Sequence, residues 1–100
     1  MKEIDIKYGM EVCIKAKGCG IYILGHTTEE AIDILSNNYN VYEESKWHAI
    51  DILRKAQECN ASLREIKSIY GKETLSISFE FETWEDFLSF KQIIEKHSHY

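Results

Sequence analysis

No stretch of the chain approaches the roughly 18 consecutive apolar residues that a membrane span requires. The N-terminus also lacks the basic, apolar and small-residue succession of a secretory signal. Both absences lead us to expect a cytoplasmic protein. A basic excess is missing too: 12 lysines and arginines stand against 17 acids, for a net charge of −5. That balance argues against a general grip on nucleic acid or an anionic membrane. Cysteines are few and odd in number, so Cys13, Cys19 and Cys59 are expected as free thiols and not as a disulfide framework. Proline is absent while isoleucine, lysine, glutamate, asparagine and tyrosine abound, which we attribute to coding-sequence bias.

One hundred residues that are 44% apolar suffice for one core and leave no room for a second, so residues 1–100 are read as a single domain. From Ile4 to Ala16 every even position is apolar and the odd positions read mainly polar. This period of two predicts a long strand with one buried face, bent at a bulge near Gly9. The two glycines of Lys17-Gly18-Cys19-Gly20 predict a tight hairpin leading into a short strand, Ile21 to Leu24. Thr27 followed three residues later by Glu30 has capping-box spacing, and Ile32, Ile34 and Leu35 would give that helix its buried stripe.

Residues 36–45 read as a loop, and Ala49, Ile52, Leu53, Ala56 and Cys59 mark one face of a second helix from about Ser45 to Cys59. Asn60 is its expected left-handed cap. A third strand follows from Leu63 to Tyr70, a turn at Gly71-Lys72, and a fourth strand from Thr74 to Glu82. Thr83 then caps a helix in which Trp84, Phe87, Leu88, Phe90, Ile93 and Ile94 predict deep burial. The sum is an α+β fold, a four-stranded antiparallel sheet in ββααββα order with three helices packed on one face. Its edge strands, if unprotected, allow a homodimer.

Charge placement departs most from an ordinary soluble surface. Between Lys17 and Lys46 there is no base, and Glu29, Glu30, Asp33, Glu43 and Glu44 fall in the gap. Between Lys72 and Lys91 the same is true around Glu73, Glu80, Glu82, Glu85 and Asp86. Ten of the 17 acids thus lie in two base-free windows, able to attract a basic partner surface such as the nucleic-acid channel of a processing enzyme. Helix N-termini also favour Glu29, Glu30, Glu85 and Asp86, and Glu80 and Glu82 could simply keep a strand face soluble. Tyr39 and Tyr42, beside Glu43, Glu44 and Trp47, have the composition of an adaptable recognition loop or, equally, of side chains closing the core.

Chemistry is harder to find. Cys13, Cys19, Cys59 and His26 are the metal or thiol candidates, but their spacing forms no C-x2-C knuckle. Lys17-Gly18-Cys19-Gly20 lacks the phosphate-loop pattern. The stretch from Gly18 to Leu35 resembles the strand-to-helix passage of small bacterial antitoxins of the HicB type, over less than a fifth of the chain. The proline preceding the glycine in that pattern is absent, and no function is carried over. The sequence therefore leans away from an enzyme and assigns no cofactor. It favours a small acidic binding protein of the inhibitor, immunity, antitoxin or anti-defence kind, acting on another protein; the alternative is a small metal- or thiol-dependent enzyme or sensor.

Overall fold

The strand β4 (Thr74–Phe81) organises the molecule. Leu75, Ile77, Phe79 and Phe81 are all buried on one side, while Thr74, Ser76, Ser78 and Glu80 occupy the other. The computed structural model describes residues 8–16, 20–38, 41, 43–69 and 71–97. In it β1 (Tyr8–Lys15), β2 (Ile21–Leu24) and β3 (Ser62–Ser68) join β4 in one antiparallel sheet of order β1-β4-β3-β2. The helices are α1 (Thr28–Ser36), α2 (Glu43–Glu58) and α3 (Trp84–His97), giving the expected ββααββα order. They cover the face that carries Val12, Ile14, Ile23, Ile66, Ile77 and Phe79, all buried. None of the described helices is long and apolar enough to cross a membrane.

Two local expectations are corrected by the pairing. First, β1 and β2 do not form a hairpin: they lie at opposite edges, with β3 and β4 inserted between them. Gly20 does adopt a positive φ of 72°, but the strands on either side of it are not neighbours; Lys17 to Cys19 lie outside the described residues. Strands adjacent in sequence often pair but need not, and here β1 finds in the eight-residue β4 a partner of its own length, where β2 offers only four residues. Second, β1 runs past Gly9 without a break, Gly9 facing Glu80 in regular register. The bulge sits instead in β3, where Arg64 is the extra residue between the Leu63–Phe79 and Glu65–Ser78 pairs.

The helices start where the sequence says they should. The Glu30 N–H donates to Thr27 Oγ1 (3.2 Å) and the Thr27 N–H to Glu30 Oε1 (2.9 Å), a complete capping box. The Asp86 N–H donates to Thr83 Oγ1 at 3.2 Å. At the far end of α2, Asn60 takes φ 57° and ends the helix. The second helix, however, begins at Glu43, two residues before the expected start, so both glutamates belong to its first turn.

Burial within the helices also shifts. In α1 the buried line is Thr28, Ala31 and Leu35, with Ile32 and Ile34 flanking it half-covered. In α2 the expected Ala49, Ile52, Leu53 and Ala56 are buried, and Cys59 just past its end is buried too. Among the described residues of α3 only Phe90 is fully buried. Phe87, Ile93 and Ile94 are half-covered and Trp84 is 49% exposed, so deep burial of this helix is not what the wide apolar arc produces. A helix resting on one face of a sheet can bury only the stripe that points down. That stripe centres on Phe90, whose ring meets Phe79 at 5.1 Å and Phe81 at 5.5 Å between centroids.

Candidate functional site

The first base-free window folds into two helices that pack on each other. Glu29 and Glu30 stand in the first turn of α1 and Asp33 one turn on, all exposed. The C-terminal end of α1 receives Lys46 of α2, whose ammonium donates to the Ser36 carbonyl at 3.5 Å. Lys46 is itself buried, so the base that closes the window in sequence is folded against the negative end of a helix. It adds little positive charge to the surface.

Glu43 and Glu44 occupy the exposed first turn of α2. Trp47 follows at the i+4 and i+3 positions, which on a helix places its side chain over the same face. It is 53% exposed. Tyr39 and Tyr42 lie outside the described residues; between them, Val41 is buried in the core.

The second window is not brought together in the same way. Glu80 lies on the outer sheet face, half-buried, with its Oε1 3.9 Å from Arg64 Nη1. Glu82 and Glu85 are exposed around the start of α3. Asp86 is half-buried and near enough to Cys59 to act on it: burial pushes the Cys59 thiol up, with the Asp86 and Glu58 carboxylates adding to the effect.

Not every exposed acid in the first window is equally available. The Glu30 carboxylate is held below its ordinary value of 4.5, first by the Thr27 backbone N–H and then by the Thr27 side chain. Nδ1 of His26 stands 3.7 Å from its other oxygen. Glu30 thus serves the helix cap, and Asp33 accepts from the Asn37 amide nitrogen at 3.4 Å. Glu29, Glu43 and Glu44 have no ion-pair partner among the described residues.

The thiol and metal candidates are scattered. Cys13 is exposed on the outer face of β1, near Glu11 Oε1 (3.2 Å) and Ser76 Oγ (3.4 Å). His26 follows β2 on the opposite edge of the sheet, three strand spacings or at least about 14 Å away. Cys59 is buried behind α2 and Cys19 lies outside the described residues. No group of three histidine, cysteine or acidic side chains with metal-binding geometry occurs among the described residues.

Two surface features escaped the sequence reading. An open groove of about 590 Å³ runs between the β2–α1 turn and the start of β3, lined by Leu24, His26, Thr28, Leu63, Arg64 and Glu80. Its basic side chains already face carboxylates, Arg64 toward Glu80 and His26 toward Glu30. Near it, Tyr22 and Leu24 of edge strand β2 are 58% and 57% exposed. The Tyr22 hydroxyl donates to Glu65 Oε2 at 3.0 Å, a bond that raises the phenol above its usual range. All four residues of β2 are apolar, so no alternation in its sequence marks Tyr22 and Leu24 as the outward pair.

Comparison with known proteins adds no relative: no protein family, no curated protein and no solved structure matches this chain.

Proposed function

We propose that this chain is a small acidic protein-docking module that acts by covering a basic surface of a partner protein, in the manner of an inhibitor, immunity protein or anti-defence factor. The observation that carries this reading is the N-terminal face of α2, where half-exposed Trp47 stands one turn from Glu43 and Glu44. Tryptophan is among the residue types most enriched at energetic anchors of interfaces. Carboxylates around it would steer a cationic partner and speed encounter. Tyr39 and Tyr42 precede this turn in sequence and are assigned to the same contact surface.

Within this reading the acids have graded roles. Glu29, Glu43 and Glu44 act as the open charges. Glu30 and Asp33 contribute field from positions tied into α1, and Glu82, Glu85 and Asp86 form a second, weaker lobe at the start of α3. Glu80 is compensated by Arg64 and contributes least. A nucleic-acid-processing enzyme would offer the required basic partner surface.

The test is capture of a partner from host lysate on immobilised wild type, Trp47→Ala and the Glu43→Lys/Glu44→Lys double variant, at low and high salt. Expected is a basic protein retained at low salt by wild type, released as salt rises, and lost by both variants. Retention that is indifferent to both substitutions and to salt would overturn the assignment.

A further inference from the structure

The other edge of the sheet carries a different kind of complementarity. On one side β1 pairs with β4, and among the described residues no strand lies on its other side. The Ala16 N–H donates to the Glu73 carbonyl at 3.0 Å, continuing the Lys15–Thr74 register by one step. In an antiparallel ladder successive residues turn their main-chain groups to opposite sides. Met10, Val12, Ile14 and Ala16 therefore direct theirs to β4, while Gly9, Glu11, Cys13 and Lys15 direct theirs to the open edge. The side chains of Glu11, Cys13 and Lys15 are exposed on the outer face of the sheet.

We propose that this edge pairs with the β1 edge of a second copy of the chain, antiparallel, with Cys13 opposite Cys13 on a two-fold axis normal to the sheet. A continuous sheet keeps apolar side chains on one face, so only registers pairing odd residues with odd residues are allowed. Centred on Glu11, the pairing sets two carboxylates against each other. Centred on Val12, it sets Glu11 against Cys13 and Lys15 against Gly9, and centred on Ile14 it sets Lys15 against Cys13. Centred on Cys13, it sets Glu11 against Lys15 twice, once on each side of the axis. The core face then pairs Val12 with Ile14 and half-buried Met10 with Ala16, also twice. Cross-strand pairs of opposite charge stabilise a sheet and like pairs oppose it, which among the described residues of β1 selects the last register. Unlike the docking of a foreign partner on α2, this interface is isologous and uses none of the acidic windows.

The test is a charge swap read by sedimentation velocity. Wild type at high micromolar concentration is expected at twice the 11.7 kDa mass of the single chain. Glu11→Lys alone, or Lys15→Glu alone, creates two like-charge contacts and should raise the dissociation constant about tenfold or more. The double variant Glu11→Lys/Lys15→Glu should restore the dimer. Circular dichroism on each variant checks that loss of association is not loss of fold, since both side chains are exposed.

A second arm uses Cys13 as a reporter. A hydrogen-bonded antiparallel pair holds its Cα atoms about 5.5 Å apart, within the disulfide range. In a Cys19→Ser background, copper(II)-phenanthroline should take two electrons from the facing thiols, with release of two protons, and leave a reducible covalent dimer. Further replacement of Cys13 by serine should abolish it. A monomer at every concentration, a charge swap that fails to restore association, or a covalent dimer that survives Cys13→Ser would each overturn the proposal.

Discussion

The aromatic layer between β4 and α3 and the N-terminal face of α2 place large rings in opposite circumstances. Phe79, Phe81 and Phe90 are wholly enclosed and meet one another edge-on or tilted at 5.1 to 5.5 Å. Trp47 has more than half its surface in water, one helical turn from Glu43 and Glu44. Ring size alone does not decide which is core. The layer beneath α3 holds the fold; the ring on α2 is left half outside it.

The contrast can be broken most forcefully at Phe79. Phe79→Ala removes a ring packed against Phe90 and is expected to cost about 3 to 5 kcal/mol in a denaturant melt, a large share of a small domain's stability. Less than about 1 kcal/mol would mean that the layer is not the keystone the packing implies. Thr27→Ala comes next, at about 1 kcal/mol, through loss of the α1 cap. The Glu30 carboxylate is held below its ordinary value first by the Thr27 backbone N–H, which Thr27→Ala keeps, so the pH-dependent part of the cap is read with Glu30→Gln. It is fully present above the ordinary value and is lost as pH falls through the lowered one, so wild type and Glu30→Gln should converge in acid. Equal separation of their melting curves at neutral and acid pH would refute that link.

Trp47→Ala sharpens the other side of the comparison. It should change the melting midpoint little, by about 0.5 kcal/mol or less, yet speed dissociation from the captured partner. A destabilisation approaching that of Phe79→Ala would make Trp47 a core residue. The smallest effect on stability is expected from Glu43→Lys/Glu44→Lys. Exposed charges act mainly on encounter, so the association rate should fall and the melt should hardly move.

How far the chain could be read in advance follows the same division. Alternation in β4 and the spacing of Ala49, Ile52, Leu53 and Ala56 identify buried faces because each depends on a local period alone. The caps at Thr27, Asn60 and Thr83 were legible for the same reason. Strand neighbours were not: nothing between Lys15 and Ile21 reveals that a hairpin fifty residues later will separate β1 from β2. The β3 bulge was equally silent, since Arg64 becomes the extra residue only relative to β4. For the surface, the base-free windows were visible in the sequence, but Lys46 folding onto Ser36 and Arg64 reaching Glu80 are long-range events. These contacts altered which acids remain open.

The insertion of β3 and β4 between the first two strands also governs the order in which the molecule can be assembled. As the chain emerges from a ribosome, Val12 must wait for Ile77 and Ile23 for Ile66 before either has a strand beside it. Their apolar faces have only α1 and α2 for cover until then. The late hairpin, whose arms are joined by a short turn at positive-φ Gly71, closes a small loop at little entropic cost and is the natural seed. Synthesis thus delivers the sheet's borders first and its centre last.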